Sequence, residues 1–188
     1  MRFEELEISG VFALELEPVQ DSRGFFAGTY SRAELAEHGI DLDVVQASVS
    51  FNERRGTLRG MHLQRPPHEE AKLVRCVAGA VHDVVVDLRP GSPTQLRWLA
   101  LELSAKRRNA LYIPPGLAHG FVTLENGCEL EYLISAAYEP SAATGVRWDD
   151  PALGIEWPLE PAVISERDAA FPDLDVAAVT ERGAAALP

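Results

Sequence analysis

Two histidines stand in this sequence where strand chemistry could use them. In Leu58-Arg59-Gly60-Met61-His62-Leu63-Gln64, strand alternation turns Arg59, Met61 and Leu63 to one side and Gly60, His62 and Gln64 to the other. A lone strand histidine is ordinarily a packed side chain with one satisfied hydrogen bond, but this one has company. In Ile113-Pro114-Pro115-Gly116-Leu117-Ala118-His119-Gly120-Phe121, a Pro-x-Gly turn delivers His119 to the start of another strand. Arginines outnumber lysines fifteen to two, so Lys72, at the head of an apolar run, draws notice. Tyr132 sits within a later run of the same kind. Each also has a plain structural reading: a rim lysine snorkelling from a strand end, and a core aromatic with its hydroxyl at the surface. A pocket that combined His, Lys, Arg and Tyr would suit proton transfer on an anionic or carbonyl-bearing substrate, because imidazole titrates near neutral pH.

The motif Pro-x-Gly-x-x-His is also the second half of a metal signature found in cupin barrels. Its metal-binding form pairs that half with His-x-His and a downstream Glu, which together supply three imidazoles and a carboxylate. Here His62-Leu63-Gln64 stands in place of His-x-His, and the cation Lys72 follows, which would repel a divalent ion. The expectation is a site without metal and a reaction without a cofactor.

The elements that must position these residues are mostly strands. Short alternating or apolar runs bounded by Gly, Pro, Asn and Asp predict strands at 10–16, 24–30, 44–51, 57–64, 72–77, 80–88, 97–103, 110–113, 119–124 and 129–135. Ser31 with Glu34 three residues on, and Gly39 beyond, predict a helix over 32–38; Ser165 and Asp168 stand at the corresponding places of a second short helix. Ten short strands in sequence predict an all-β fold, a cupin-type jelly-roll β-barrel with a few short helices. At 188 residues and 46% hydrophobic content the chain reads as one domain over 1–175. The Ala-rich stretch 176–188 is expected to be a loosely ordered tail.

A formal net charge of −12 repels polyanions and argues against a nucleic-acid partner, while a few converging arginines can still hold a small anion. The N-terminus lacks a basic start followed by an apolar core, and no apolar run reaches the ~20 residues that span a bilayer, so the expectation is a cytoplasmic protein with no membrane partner. Cys76 and Cys128 are too few and too distant for a disulfide framework and read as buried thiols.

Several stretches together resemble the dTDP-4-dehydrorhamnose 3,5-epimerase family, from about Gly10 to Leu174. They are Asp21-Ser22-Arg23-Gly24-Phe25-Phe26, Leu58 to Gln64, Lys72-Leu73-Val74, Gly79 to Val84 with Asp87-Leu88-Arg89, and Ile113 to Phe121. Further on come Trp148-Asp149-Asp150-Pro151, Ile155-Glu156-Trp157-Pro158 and Ser165-Glu166-Arg167-Asp168. The resemblance implies epimerisation of a dTDP-4-keto-6-deoxyhexose at C3, C5 or both. It implies His62 as the base, Asp168 as the carboxylate that orients it, Tyr132 as the acid on the opposite face, and Lys72 as the cation beside the carbonyl oxygen. It further implies substrate contacts from Arg23, Phe25, Gln46, Arg59, His119, Tyr138 and Arg167, and a homodimer whose N-terminal strand reaches the partner's site. For Asp168 a capping role after Ser165 is the competing reading.

The chain departs from the family pattern at three places. Gly28 and Ala143 stand where glutamates are expected, and Ala47-Ser48-Val49-Ser50 replaces Asp-Asn-His-Ser, so that a hydroxyl takes the place of an amide at Ser48. These losses bear on nucleotide recognition and not on the acid–base core. They also motivate a competing class, a sugar-nucleotide-binding cupin without catalysis. His62 and His119 motivate another, a metal-dependent cupin oxygenase or isomerase.

Overall fold

The computed structural model describes residues 1–188. In chain order the N-terminal half carries β1 (Arg2–Glu5), β2 (Phe12–Glu15), β3 (Val19–Asp21), β4 (Gly24–Phe26), α1 (Arg32–Glu37), β5 (Gln46–Asn52), β6 (Thr57–Gln64) and β7 (Lys72–Ala78). Then follow β8 (Ala80–Asp87), β9 (Trp98–Ser104), β10 (Ala110–Ile113), β11 (Leu117–Thr123), β12 (Cys128–Ile134), β13 (Ala143–Gly145), β14 (Val163–Ile164), α2 (Glu166–Ala169) and α3 (Val176–Arg182). Two six-stranded sheets result, one ordered β1-β2-β10-β7-β12-β5, the other β13-β6-β11-β8-β9 with β14 added beside β6. A separate hairpin joins β3 to β4.

Inward-facing residues of both sheets fill the space between them. Val74, Cys76, Leu111, Ile113 and Leu130 from the first sheet meet Val81, Val85, Leu103 and Phe121 from the second. Phe121 is 2% exposed, and burying such a side chain is worth about 1.5–3 kcal/mol. Each sheet also has an outer cover. The α1 segment, capped by Ser31 Oγ accepting from the Glu34 N–H, lays Leu35, Ile40 and Leu42 against Leu73 and Tyr112. On the other side Val146, Leu153, Val179, Ala184 and Leu187 cover Val84, Val86 and Leu88. The stretch after residue 175 therefore differs from the loose tail expected: Asp175 caps α3, and Val179, Ala184 and Leu187 are buried.

One irregularity matters for the site. Along β6 and β11, His62 pairs with His119 but Arg59 pairs with Phe121, so two residues of β6 oppose Gly120. The approach is so close that a Cβ on Gly60 would fall 2.6 Å from Gly120 Cα, and one on Gly120 would fall 2.6 Å from Met61 Sδ. This bulge shifts the alternation by one residue.

Candidate active site

A cavity of about 360 Å³ opens between the two sheets, bordered by their edge strands β5 and β13. The first sheet contributes Gln46, Ser48, Ser50, Lys72 and Tyr132; the second contributes Arg59, His62, Gln64, His119 and Ala143. Glu70, Tyr138 and Arg167 complete its wall from loops and α2. Strict alternation puts Arg59 and His62 on opposite faces of β6; the bulge at Gly60–Met61 brings both into the cavity.

His62 is paired with a residue 106 positions further along the chain, its Nε2 lying 2.7 Å from Asp168 Oδ1. The other carboxylate oxygen, Oδ2, accepts from the Gly60 N–H at 3.2 Å. The helix cap at α2 uses only the Asp168 backbone N–H, which donates to Ser165 Oγ, so the side chain is left for the imidazole. Burial raises the Asp168 carboxyl, but the hydrogen bond and charge of His62, with the Gly60 and Ser165 contacts, more than offset this and hold it below its ordinary value. An ionised carboxylate accepts, so His62 Nε2 carries the hydrogen and Nδ1 keeps a lone pair. The His62 side chain is 40% exposed while that of Asp168 is 6% exposed. Phe171 meets the imidazole edge-on, ring centres 6.3 Å apart.

His119 has its own carboxylate. Its Nε2 stands 2.9 Å from both oxygens of Asp83, which projects from β8 into the barrel interior between Val81 and Val85. The ring of Tyr132 packs on that of His119 at 6.2 Å and 70°. Burial, reinforced by the Asp83 charge, pushes the Tyr132 phenol well above its usual range, so the hydroxyl stays protonated at neutral pH. Lys72 Nζ lies 2.9 Å from Glu70 Oε1 and 3.4 Å from the backbone carbonyl of His62.

The remaining residues expected at the site divide into two groups. Gln46, Arg59, His119, Tyr138 and Arg167 line the cavity. Arg59 Nε donates to Asn52 Oδ1 at 2.7 Å, and Arg167 donates to the Ala143 carbonyl at 3.2 Å. The Gln46 amide donates to Ser48 Oγ at 2.8 Å. Arg23 and Phe25 do not join them: they lie on the β3–β4 hairpin, where Arg23 pairs with Asp21 and the Arg108 guanidinium covers the Phe25 ring. Gly28 is exposed, with nothing within 4 Å of where its side chain would be. Sequence reasoning missed Asp83, Glu70 and Phe171 as site residues. Asp83 carried a signal, a carboxylate inside the apolar run Val81 to Val86; Glu70 carried another, a charge two residues before Lys72 and so on the same side of an extended chain. Phe171 carried none. No group of three or more His, Cys, Asp or Glu side chains is arranged to hold a metal ion, and the imidazole Nε2 atoms of His62 and His119 are both engaged by carboxylates.

The cavity thus sets an imidazole with a free nitrogen, a buried phenol and an ammonium around one space, with Arg59 and Arg167 at its wall. Comparison with known proteins matches residues 5–175 to the family model described as dTDP-4-dehydrorhamnose 3,5-epimerase. A dTDP-4-dehydrorhamnose 3,5-epimerase of Mycolicibacterium smegmatis is 45% identical over 180 residues, covering 93% of this chain and 86% of the relative. A dTDP-4-dehydrorhamnose 3-epimerase of Streptomyces niveus is 41% identical, covering 89% and 81%. The crystal structure of dTDP-4-dehydrorhamnose 3,5-epimerase from Bacillus anthracis with TDP and PPi bound superposes with a TM-score of 0.89 at 36% identity, covering 92% of this chain and 99% of that one.

Proposed function

The chain belongs to the dTDP-4-dehydrorhamnose 3,5-epimerase family, with that family's cupin jelly roll, and from this premise we propose how its own residues carry out the reaction. It is an isomerase that epimerises a dTDP-4-keto-6-deoxyhexose beside the C4 ketone. His62 Nδ1 takes the proton on the carbon next to the ketone, and Asp168 fixes the ring and balances the imidazolium charge as it forms. The Lys72 ammonium faces the ketone oxygen and stabilises the enolate, without which a proton so much less acidic than imidazolium could not be removed at a useful rate. Tyr132 O–H returns a proton to the other face of the planar enolate, which inverts the centre. Solvent then restores the proton of Tyr132 and takes that of His62.

The observation that carries this reading is that His62 and Tyr132 enter one cavity from opposite sheets, as base and acid on opposite faces of a ring must. Arg59 and Arg167 supply the positive charge for the diphosphate, and Tyr138, 59% exposed at the cavity edge, offers a ring to the base. The reaction needs no cofactor. The test is incubation with dTDP-4-dehydro-6-deoxyglucose in deuterated water, following the C3 and C5 proton signals by NMR. Loss of both signals identifies a 3,5-epimerase and loss of one a mono-epimerase. Exchange no faster than in a His62→Asn control would sink the reading.

The working unit proposed is a homodimer. On β5 the pattern is inverted: Gln46, Ser48 and Ser50 face the cavity, while Phe51 lies 59% exposed on the outer side and Val49, at the cavity border, is 61% exposed. Val19 and Phe26 of the β3–β4 hairpin are 74% and 80% exposed. A second copy covering these surfaces would bury them and carry Arg23 and Phe25 to a cavity they do not reach within their own chain. Phe51→Asp is expected to give a monomer on a sizing column with light scattering; an unchanged dimer would place the interface elsewhere. We place the protein in the cytoplasm, where its two buried cysteines stay reduced; burial pushes the Cys76 thiol up to about 12.

A further inference from the structure

Lys72 does not stand alone. Its ammonium is 2.9 Å from Glu70 Oε1, and the two side chains are only 12% and 7% exposed. The second contact, to the His62 carbonyl, is long at 3.4 Å. Between the pair lies the buried Ala71, whose N–H donates to Ser135 Oγ and whose carbonyl accepts from the Ser135 N–H, so the backbone under both side chains is pinned to the end of β12. Glu70 Oε2 is buried and has no hydrogen-bond partner. A shielded carboxylate with one oxygen unused is an unfavourable arrangement, and in a native site it calls for a reason.

The reason lies in the lysine. An ammonium on a four-carbon stem has several rotamers, whereas oxyanion stabilisation requires a donor fixed where charge develops. We propose that Glu70 is a positioning residue for the reaction, holding the Lys72 ammonium at the place where the enolate oxygen forms. This rests on the reading of Lys72 as the oxyanion-stabilising cation. The short contact is made by one oxygen alone, so the placement of that oxygen matters more than the negative charge, which opposes the enolate.

Two conservative variants separate placement from charge. Glu70→Asp keeps the charge and withdraws the oxygen by one methylene; Glu70→Gln keeps an acceptor oxygen in place and removes the charge. With the dTDP-4-keto-6-deoxyhexose substrate, Glu70→Asp is expected to lower kcat by about tenfold or more, since small misplacements of a catalytic group are costly, with KM within about twofold. Glu70→Gln is expected to recover most of that kcat. The proposal is overturned if Glu70→Asp retains wild-type kcat, if the loss appears in KM instead, or if Glu70→Gln is the more impaired of the two. Lys72→Met, measured alongside, separates the two levels. Wild-type proton exchange in Lys72→Met removes the reading of Lys72 and this inference with it. Lost exchange in Lys72→Met together with wild-type kcat in Glu70→Asp removes the inference alone.

Discussion

The cavity contains two histidine–carboxylate pairs at neighbouring positions of the same sheet, His62 with Asp168 and His119 with Asp83, and they are built differently. The first joins a strand to a helix 106 residues away, and its imidazole is 40% exposed. The second joins two adjacent strands, its imidazole is 6% exposed, and its carboxylate is wholly buried. Asp168 has a second donor, the Gly60 N–H, and is the more self-sufficient anion; both oxygens of Asp83 turn to a single Nε2. The same two side-chain types therefore serve two ends. An imidazole whose free nitrogen meets the cavity can exchange a proton with a substrate. One sealed between strands serves as a fixed piece of wall, on which Tyr132 rests.

Breaking the exposed pair should cost rate, and breaking the sealed pair should cost stability. His62→Asn carries the largest expected effect, a fall in kcat of about 10³-fold, or about 4 kcal/mol of barrier, with little change in melting temperature. A variant retaining a tenth of the wild-type rate would mean that His62 is not the base. Next comes Asp83→Ala, which leaves the buried Nε2–H of His119 without an acceptor and should destabilise the fold by about 1–3 kcal/mol in denaturant titration. If Asp83→Ala instead unfolds like the wild type and loses activity as severely as His62→Asn, the two pairs do the same work and the contrast fails.

Much of this could be read before any coordinates. Alternation located β2 and β5 to β12, because each buries one face in a core such as Val74 and Cys76 share with Val81 and Val85, and it overextended β4, an exposed three-residue strand predicted to reach Tyr30. It missed β1, β3, β13 and β14, which are short and mostly exposed or low in side-chain bulk and exist through their pairing, as Arg2 through Glu5 do against β2. It also missed α3, where Ala-rich sequence has little periodicity until Val179 finds Gln95 and the second sheet. His62, Lys72 and Tyr132 were legible as chemistry, whereas Asp168 read locally as part of a helix cap. Their meeting was legible only through resemblance, because no local pattern joins residue 62 to residue 168. Arg59 too was legible at the site only through resemblance, since one extra residue in a bulge reverses every facing prediction that alternation makes on one side of it.

The smallest expected effect sharpens the comparison most. Asp168 is held below its ordinary carboxyl range by the hydrogen bond and charge of His62, the Gly60 N–H and the Ser165 side chain, despite burial that pushes the other way. A carboxylate whose folded value is depressed gives the native state stability that is fully present above the unfolded value, about pH 4, and is lost as pH falls through the folded value. Asp168→Asn has no such charge to lose. The stability gap between the wild type and Asp168→Asn should therefore be constant at neutral pH and shrink as the solution is acidified below about pH 4. Effects of the other carboxylates, Asp87 with its Arg89 and hydroxyl partners included, are common to both proteins and cancel in the difference. A gap that persists unchanged to pH 3 would show that Asp168 matters to the fold through its shape and its hydrogen bonds as a neutral group. The distinction between an anionic exposed pair and a merely structural one would then have no electrostatic basis.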